Sequence, residues 1–364
     1  MSRRLSFVAF GALAVIGIGA VILVGRIDPT RGRLGRAAQD PEDLAVLADS
    51  VPDVTTAAAG WLNVPELRPT DLDGRVVVYD FWTYSCVNCL RTLPYLRAWH
   101  ERYQADGLVI VGVHSPEFDF EKGRENVSRA VDDLDVTWPV ALDDDMVIWT
   151  LFQNAYWPAK YVVDRDGRLR YVHFGEGAYD ETEDVLRSLL GVDRSAPRAA
   201  EVDGSGEPRA ATGQTPETYL GSLRGRTASP EGLDLGEREF TAPRDMPDDS
   251  FALSGRWEVA EEYVGAREAR AEIVLRYRAS EVNLVLEAVG GAPIEVDVEL
   301  DGEPLDPAAV AADVTTQPDE TTAVSVNEPR LYALVADGPS GYHELRLTAL
   351  ASGVRAYAFT FGTR

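Results

Sequence analysis

The sequence predicts two folding units in series: an α/β unit built on a mixed sheet with flanking helices, then an all-β sandwich. Three observations carry that prediction. Between Gly60 and about Gly191, short apolar runs alternate with stretches of helical period. Further on, apolar and polar residues alternate singly, as in half-buried strands. Between the two regions, Arg194 to about Gln214 is rich in Gly, Pro, Ala and Ser, the composition of a linker. The boundaries implied are 59–192 for the α/β unit, 193–214 for the linker and 215–364 for the sandwich.

Taken in order, the chain begins with an apolar run. Leu5 to Gly25 carries no charge, and its 21 residues at 1.5 Å each span the roughly 30 Å core of a bilayer. Arg3 and Arg4 precede it and favour a cytoplasmic N-terminus; Arg26, Arg31, Arg33 and Arg36 beyond it oppose that orientation. The run exceeds the ~7–15-residue core of a cleaved signal, and no Ala-x-Ala site closes it. Residues 1–25 are therefore expected to be a single transmembrane anchor, holding the rest of the chain outside the cytoplasm at the cell membrane. Residues 26–58 show no sustained periodicity and are expected to form a tether, with one short helix around Pro41 to Leu47.

Val76 to Tyr79 and Leu108 to Val113 are short apolar runs suited to central strands. The spacing of Leu90, Leu93, Leu96 and Trp99 predicts a helix between them. Phe120 to Leu134 predicts an inserted polar helix, and Asp145 to Phe152 another. Tyr161 to Val163 and Leu169 to Val172, joined through Asp166-Gly167, predict a hairpin. Tyr179 to Leu190 predicts a closing helix, its acidic early turns favoured by the helix dipole. In the second unit, Ile273, Leu275 and Tyr277 and then Ile294, Val296, Val298 and Leu300 alternate with charged residues. Tyr342 to Leu347 and Tyr357 to Phe361 continue the strand pattern.

The net charge of −25 argues against a nucleic-acid binder, which needs a basic face. The only two cysteines, Cys86 and Cys89, are three residues apart. So short a loop removes little entropy from the unfolded chain and makes a poor structural staple. The spacing suits a dithiol that opens and closes a disulfide.

Cys86 is expected where a strand ends and a helix begins, so that backbone N–H groups and the helix dipole stabilise its thiolate as nucleophile. Cys89, one turn on and more buried, is expected to resolve the mixed disulfide. Asp80, read as the end of the Val76–Tyr79 strand and flanked by apolar residues, is expected to have a raised pKa and to take the Cys89 proton. Pro94 falls inside the helical pattern and should kink it. If the bond before Pro158 is cis, the Trp157 backbone would be presented to an extended substrate. Trp82 and Tyr84 are candidate walls of the same site, core packing being the plainer reading for Trp82.

The string Asp80-Phe81-Trp82-Thr83-Tyr84-Ser85-Cys86-Val87-Asn88-Cys89-Leu90-Arg91-Thr92-Leu93-Pro94, with Trp157-Pro158 downstream, resembles the thioredoxin superfamily and within it the TlpA/ResA branch. With Asn154 to Tyr161, Phe174 to Gly177, Thr215 to Gly221 and the C-terminal sandwich, roughly residues 60 to 364 look most like the exported part of DipZ proteins. The resemblance implies a thioredoxin fold and a jelly-roll domain similar to carbohydrate-binding modules. It also implies thiol–disulfide exchange outside the cytoplasmic membrane on exported protein thiols or disulfides, with no cofactor beyond the Cys86–Cys89 pair. Dithiols of this kind range from about −270 mV to about −120 mV. Val87-Asn88 does not resemble the Pro-His of strong oxidants, and the TlpA/ResA likeness implies a reductant of the cytochrome c maturation type. DipZ proteins carry a CcdA-type membrane domain ahead of this part; one anchor in its place implies a separate CcdA-type electron donor.

Other readings are weaker. A zinc site needs two further ligands, and His100, His114 and His173 lack finger-like spacing. A thiol peroxidase would carry a proline upstream of its reactive cysteine, and none lies between Arg75 and Cys86. Copper-delivery relatives space their cysteines by three residues rather than two and add a His. A cell-envelope scaffold acting through the sandwich remains open, with Trp257, Tyr263, Tyr332 and Tyr342 as a sugar-binding platform. Aromatics in sandwich strands are more often core.

Overall fold

A computed structural model describes residues 44–193, 195–199 and 213–362. The expected anchor at 1–25 and most of the expected linker lie outside these residues. Among the described residues, no helix is long and apolar enough to cross a membrane.

The first unit is a six-stranded mixed sheet. Its strands are β1 (Gly60–Leu62), β2 (Val76–Trp82), β3 (Leu108–His114), β4 (Val140–Leu142), β5 (Ala159–Val163) and β6 (Leu169–Phe174), in the order β1-β4-β3-β2-β5-β6. β2, β3 and β4 pair in parallel, while β1, β5 and β6 pair antiparallel to their neighbours. The helices are α1 (Val54–Ala57), α2 (Pro69–Leu72), α3 (Val87–Tyr103), α4 (Arg124–Asp133), α5 (Val147–Leu151) and α6 (Tyr179–Leu190). This is the thioredoxin-like arrangement that the motifs implied.

The two-residue period of the strands sorts side chains into two apolar layers. Val76, Val78 and Trp82 of β2 share one layer with α3, α4 and α6; Val77, Tyr79 and Phe81 share the other with α1 and α5. Gly112 of β3 makes room in the first layer. A Cβ there would come within 3.0 Å of Trp82 Nε1 and 3.2 Å of Trp138 Nε1. Gly112→Ala should therefore overpack this layer and lower stability by about 1–3 kcal/mol in a urea titration.

Three sequence expectations need correction. Residues 44–58 are not a tether. Leu44 and Val54 are buried, Leu47 and Ala48 exchange backbone hydrogen bonds with Leu169, and Arg170 reaches the Leu44 carbonyl. The short helix expected up to Leu47 is not found from Leu44 on; the first helical turn is α1, capped by Asp53. The linker also starts later than position 193. Arg187 holds the carbonyls of Asp193, Ala196 and Pro197, and Ala199 is buried against the first unit. The inserted segment is a single turn of 3-10 helix, Asp119–Lys122, followed by α4.

The second unit is all β. One face runs Thr322–Val326, Ile294–Leu300, His343–Ala349, Glu272–Tyr277 and the first half of Ser250–Val259. The other runs from the second half of that strand through Val264–Ala266, Val354–Gly362, Glu281–Ala288 and Arg330–Val335. The shared strand turns the corner at Gly255, whose φ of 84° suits glycine. Trp257 and Tyr332 are buried in the core between the faces, the more common place for such aromatics, so the alternative platform of four does not form. Tyr263 packs on Tyr357, and Tyr342 bonds Asp249.

The two units touch. Phe118, from the segment after β3, packs with Val285, Tyr357 and Ala358 of the sandwich. Around it lie the ion pairs Arg91–Glu281 at 2.5 Å, Arg129–Glu328 at 2.9 Å and Glu117–Arg224 at 2.8 Å. Half-exposed pairs of this kind are each worth only about 0–1 kcal/mol, so the apolar contact dominates the docking energy.

Candidate active site

Cys86 is the N-cap of α3, and its sulfur accepts from the Cys89 backbone N–H at 3.2 Å. It is half-buried, whereas Cys89 is 1 % exposed, and a disulfide joins the two. Helix formation is natural here: Cys89, Leu93, Leu96, Trp99 and Tyr103 recur every three or four residues and are all buried. Pro94 sits inside α3 without ending it. A sulfur at a helix N-terminus meets N–H groups that have no partner within the helix, and these favour its anionic form.

Asp80 is not at a strand end; it lies within β2 and is 1 % exposed. Strand alternation puts it on the same face as Val78 and Trp82, in the layer that also contains Cys89. Burial pushes its carboxyl up to about 7, opposed by the charge of Lys160. Lys160 is its register partner on β5 and is fully buried. Neither Asp80 Oδ1 nor Lys160 Nζ has a hydrogen-bond partner among the described residues. Burial pulls the lysine down, while Asp80 and Glu176 hold it up. A carboxyl poised near neutrality and unconstrained by direct bonds is suited to proton transfer.

The Trp157–Pro158 bond is cis, and Trp157 is half-buried while Pro158 is buried. Trp157 Nε1 donates to the Ser115 carbonyl at 3.0 Å, and its ring lies 4.1 Å from that of Trp149. Trp82 and Tyr84, expected as walls, are 1 % and 4 % exposed. They back the site from inside the core: Tyr84 stacks on His114 at 5.6 Å, and Trp82 meets the same ring edge-on at 5.5 Å. Burial pulls the His114 imidazole down to about 3, so it stays neutral. The other histidines lie apart from this cluster, His100 against Trp138 and His173 on the Glu176 carbonyl.

Several groups around the dithiol carry no signature in the sequence. Arg91, two residues after Cys89, reaches Asn88 Oδ1 at 3.5 Å, Glu176 at 3.7 Å and Glu281 of the sandwich at 2.5 Å. Glu121 is fully buried and bonded to Ser85, the residue before Cys86. Lys160 alone left a trace: one of two lysines in the chain, it stands inside an apolar strand.

The chain is similar to several known proteins. The family description "Thioredoxin like C-terminal domain" matches residues 215–362, and "AhpC/TSA family" matches residues 47–172. Protein DipZ of Mycobacterium tuberculosis is 40% identical over 258 residues, covering 67% of this chain and 36% of its own length. The chain thus spans about a third of the length of that relative. Thiol-disulfide oxidoreductase YkuV of Bacillus subtilis is 30% identical over 144 residues, covering 40% of this chain and 96% of its own. Among solved structures, a thiol-disulfide isomerase from Corynebacterium glutamicum is 24% identical with a TM-score of 0.33, over 42% of this chain and 99% of its own. With YkuV matched over nearly its whole length, the chain belongs to the thioredoxin-like thiol-disulfide oxidoreductase family.

Proposed function

We propose that this oxidoreductase works outside the cytoplasm through Cys86 and Cys89 as a reductant of exported protein disulfides. The observation that carries the reading is Cys86 at the cap of α3 with Cys89 behind it and Asp80 in the same buried layer. In the reducing direction, the Cys86 thiolate attacks a substrate disulfide, forming a mixed disulfide and releasing one substrate thiolate. Cys89 gives its proton to Asp80 and attacks the Cys86 sulfur. The second substrate thiolate leaves, and the Cys86–Cys89 disulfide closes. The substrate gains two electrons and the dithiol loses them, so a donor dithiol must restore it. The bond before Pro158 and the half-buried Trp157 offer an edge for an extended substrate strand.

The apolar run at residues 5–25 supports a membrane anchor and an extracytoplasmic site. The resemblance to TlpA and ResA proteins supports haem-site cysteines of cytochrome c as substrates and a separate CcdA-type donor. Pairing between strands distant in sequence, such as Glu272–Tyr277 with His343–Ala349, supports reading the second unit as a jelly roll of the carbohydrate-binding type.

Cys89→Ser tests the mechanism, because a variant that attacks but cannot resolve should accumulate a mixed disulfide at Cys86 with a cysteine-containing substrate protein. No trapped adduct, together with no insulin reduction by the unaltered chain, would sink the reading. Equilibration with glutathione sets the direction: a potential near that of DsbA, about −120 mV, would make the protein an oxidant instead.

A further inference from the structure

We propose that Glu121 is a positioning residue for the dithiol, acting through Ser85 on the turn that presents Cys86. The inference rests on the reading of Cys86 as nucleophile and adds a part to that site. Glu121 lies on the 3-10 turn between β3 and α4, 36 residues from Ser85, and is 0 % exposed. One carboxyl oxygen accepts from the Ser85 hydroxyl at 2.5 Å. The other accepts from the backbone N–H of Glu117 at 2.6 Å and of Phe118 at 3.0 Å. A single buried side chain therefore holds Ser85 in the turn Thr83–Cys86, which Cys86 N–H closes onto the Thr83 carbonyl at 3.4 Å. If the turn were free, the orientation of the Cys86 sulfur toward the α3 N–H groups would be one of several. Fixed from beneath, it is already in place before substrate arrives.

The same carboxyl connects the turn to the sandwich. Phe118, whose N–H it binds, and Phe120, the residue before it, stack at 5.7 Å. Both rings pack on Tyr357 of the sandwich, at 5.1 and 4.8 Å, and Phe120 also meets Tyr84 of the turn at 6.1 Å. The path from the sandwich to the residue before Cys86 is thus two phenyl rings and one carboxyl long.

Burial raises the Glu121 carboxyl to about 7, the Glu117 charge adding to the rise and its hydrogen bonds opposing it. The titratable and charged groups around it are Glu117 on its own segment, Arg224 of the sandwich, which pairs with Glu117 and lies over the Phe118 ring, and Tyr84 on the turn, with neutral His114 of β3 stacked on Tyr84. Arg129 of α4 and Glu287 and Glu328 of the sandwich act on that same Tyr84. A buried Glu121 anion opposes a thiolate at Cys86, next to its partner Ser85, while its hydrogen bonds hold the turn. Glutamine preserves the bonds, donating to Ser85 and accepting from the two N–H groups, and deletes the charge.

The test uses the reduced full chain and the pH dependence of Cys86 alkylation by iodoacetamide, with thermal melting alongside. Glu121→Gln should move the midpoint down, raising the alkylation rate at pH 7 by about threefold, or half a pH unit. Ser85→Ala, which cuts the link but leaves the bonds to Glu117 and Phe118, should shift the midpoint as well. The Glu121→Gln shift should differ in size when Ser85 is already Ala, because the link through Ser85 sets the geometry in which the charge acts on Cys86. An unchanged midpoint in Ser85→Ala overturns the proposal even if Glu121→Gln fails to fold. Additive shifts in the double variant overturn it too. Failure of the parent reading looks different: there Cys86→Ser leaves insulin reduction intact whatever these midpoints do.

Discussion

Asp80→Asn is expected to slow attack of Cys89 on a mixed disulfide by about 10²–10⁴-fold, the usual worth of a positioned proton acceptor. The first attack, by Cys86, should change far less, since its thiolate depends on the N-terminus of α3. Asparagine keeps the shape of the side chain and cannot take the Cys89 proton. Stopped-flow fluorescence with a disulfide substrate would separate the two steps, with the mixed disulfide accumulating in the variant. In the unaltered chain, resolution should quicken as pH rises through about 7, where Asp80 ionises, and the Asn variant should lose that inflection. Equal resolution rates in both proteins would remove Asp80 from the mechanism.

The same residue makes stability depend on pH. Its carboxyl titrates near 3.8 in an unfolded chain and at about 7 when folded. A raised folded value means the native state binds the proton more tightly. That contribution is fully present below about pH 4 and is lost as pH rises through about 7. Urea midpoints of the Asn variant should accordingly fall less between pH 4 and 7 than those of the unaltered chain.

Phe81→Ala should produce the largest stability loss, about 3–5 kcal/mol, the range for deleting a buried phenyl ring. Phe81 is fully buried and lies 5.2 Å from the Phe152 ring, 5.4 Å from Tyr161 and 6.1 Å from Trp149, each edge-on. Its neighbour Asp80 faces the other layer, so the cavity opens on the side of the sheet away from the cysteines. The urea midpoint should drop while the Cys86 alkylation midpoint of the folded fraction stays put. A change of under 1 kcal/mol would mean that the surrounding rings collapse into the space.

The sequence made most of the first unit legible because its signals are local. Tyr179–Leu190 forms the closing helix at the expected bounds, since its periodicity and its acidic first turn lie within its own twelve residues. The hairpin of β5 and β6 and the cap position of Cys86 were readable for the same reason. Asp80 was misplaced at a strand end because β2 continues through a charged residue, which only the partner strands on both sides stabilise. Residues 44–58 looked like a tether because a few scattered apolar side chains show no period, yet Leu44 and Val54 fill places left by distant strands.

The sequence by itself marked out the candidate site: two cysteines one helical turn apart, a carboxyl six residues ahead, and prolines at positions 94 and 158. Those relations lie within short stretches or in motif spacing, where backbone geometry leaves few alternatives. Tertiary structure alone decided which groups surround the dithiol. Lys160 reaches Asp80 through a strand pairing 80 residues away, Glu121 reaches Ser85 across 36 residues, and Glu281 meets Arg91 across 190. Such contacts follow from how sheets and domains pack rather than from any local preference. A lone buried charge looks the same in sequence as a solvated one until the fold removes the water around it.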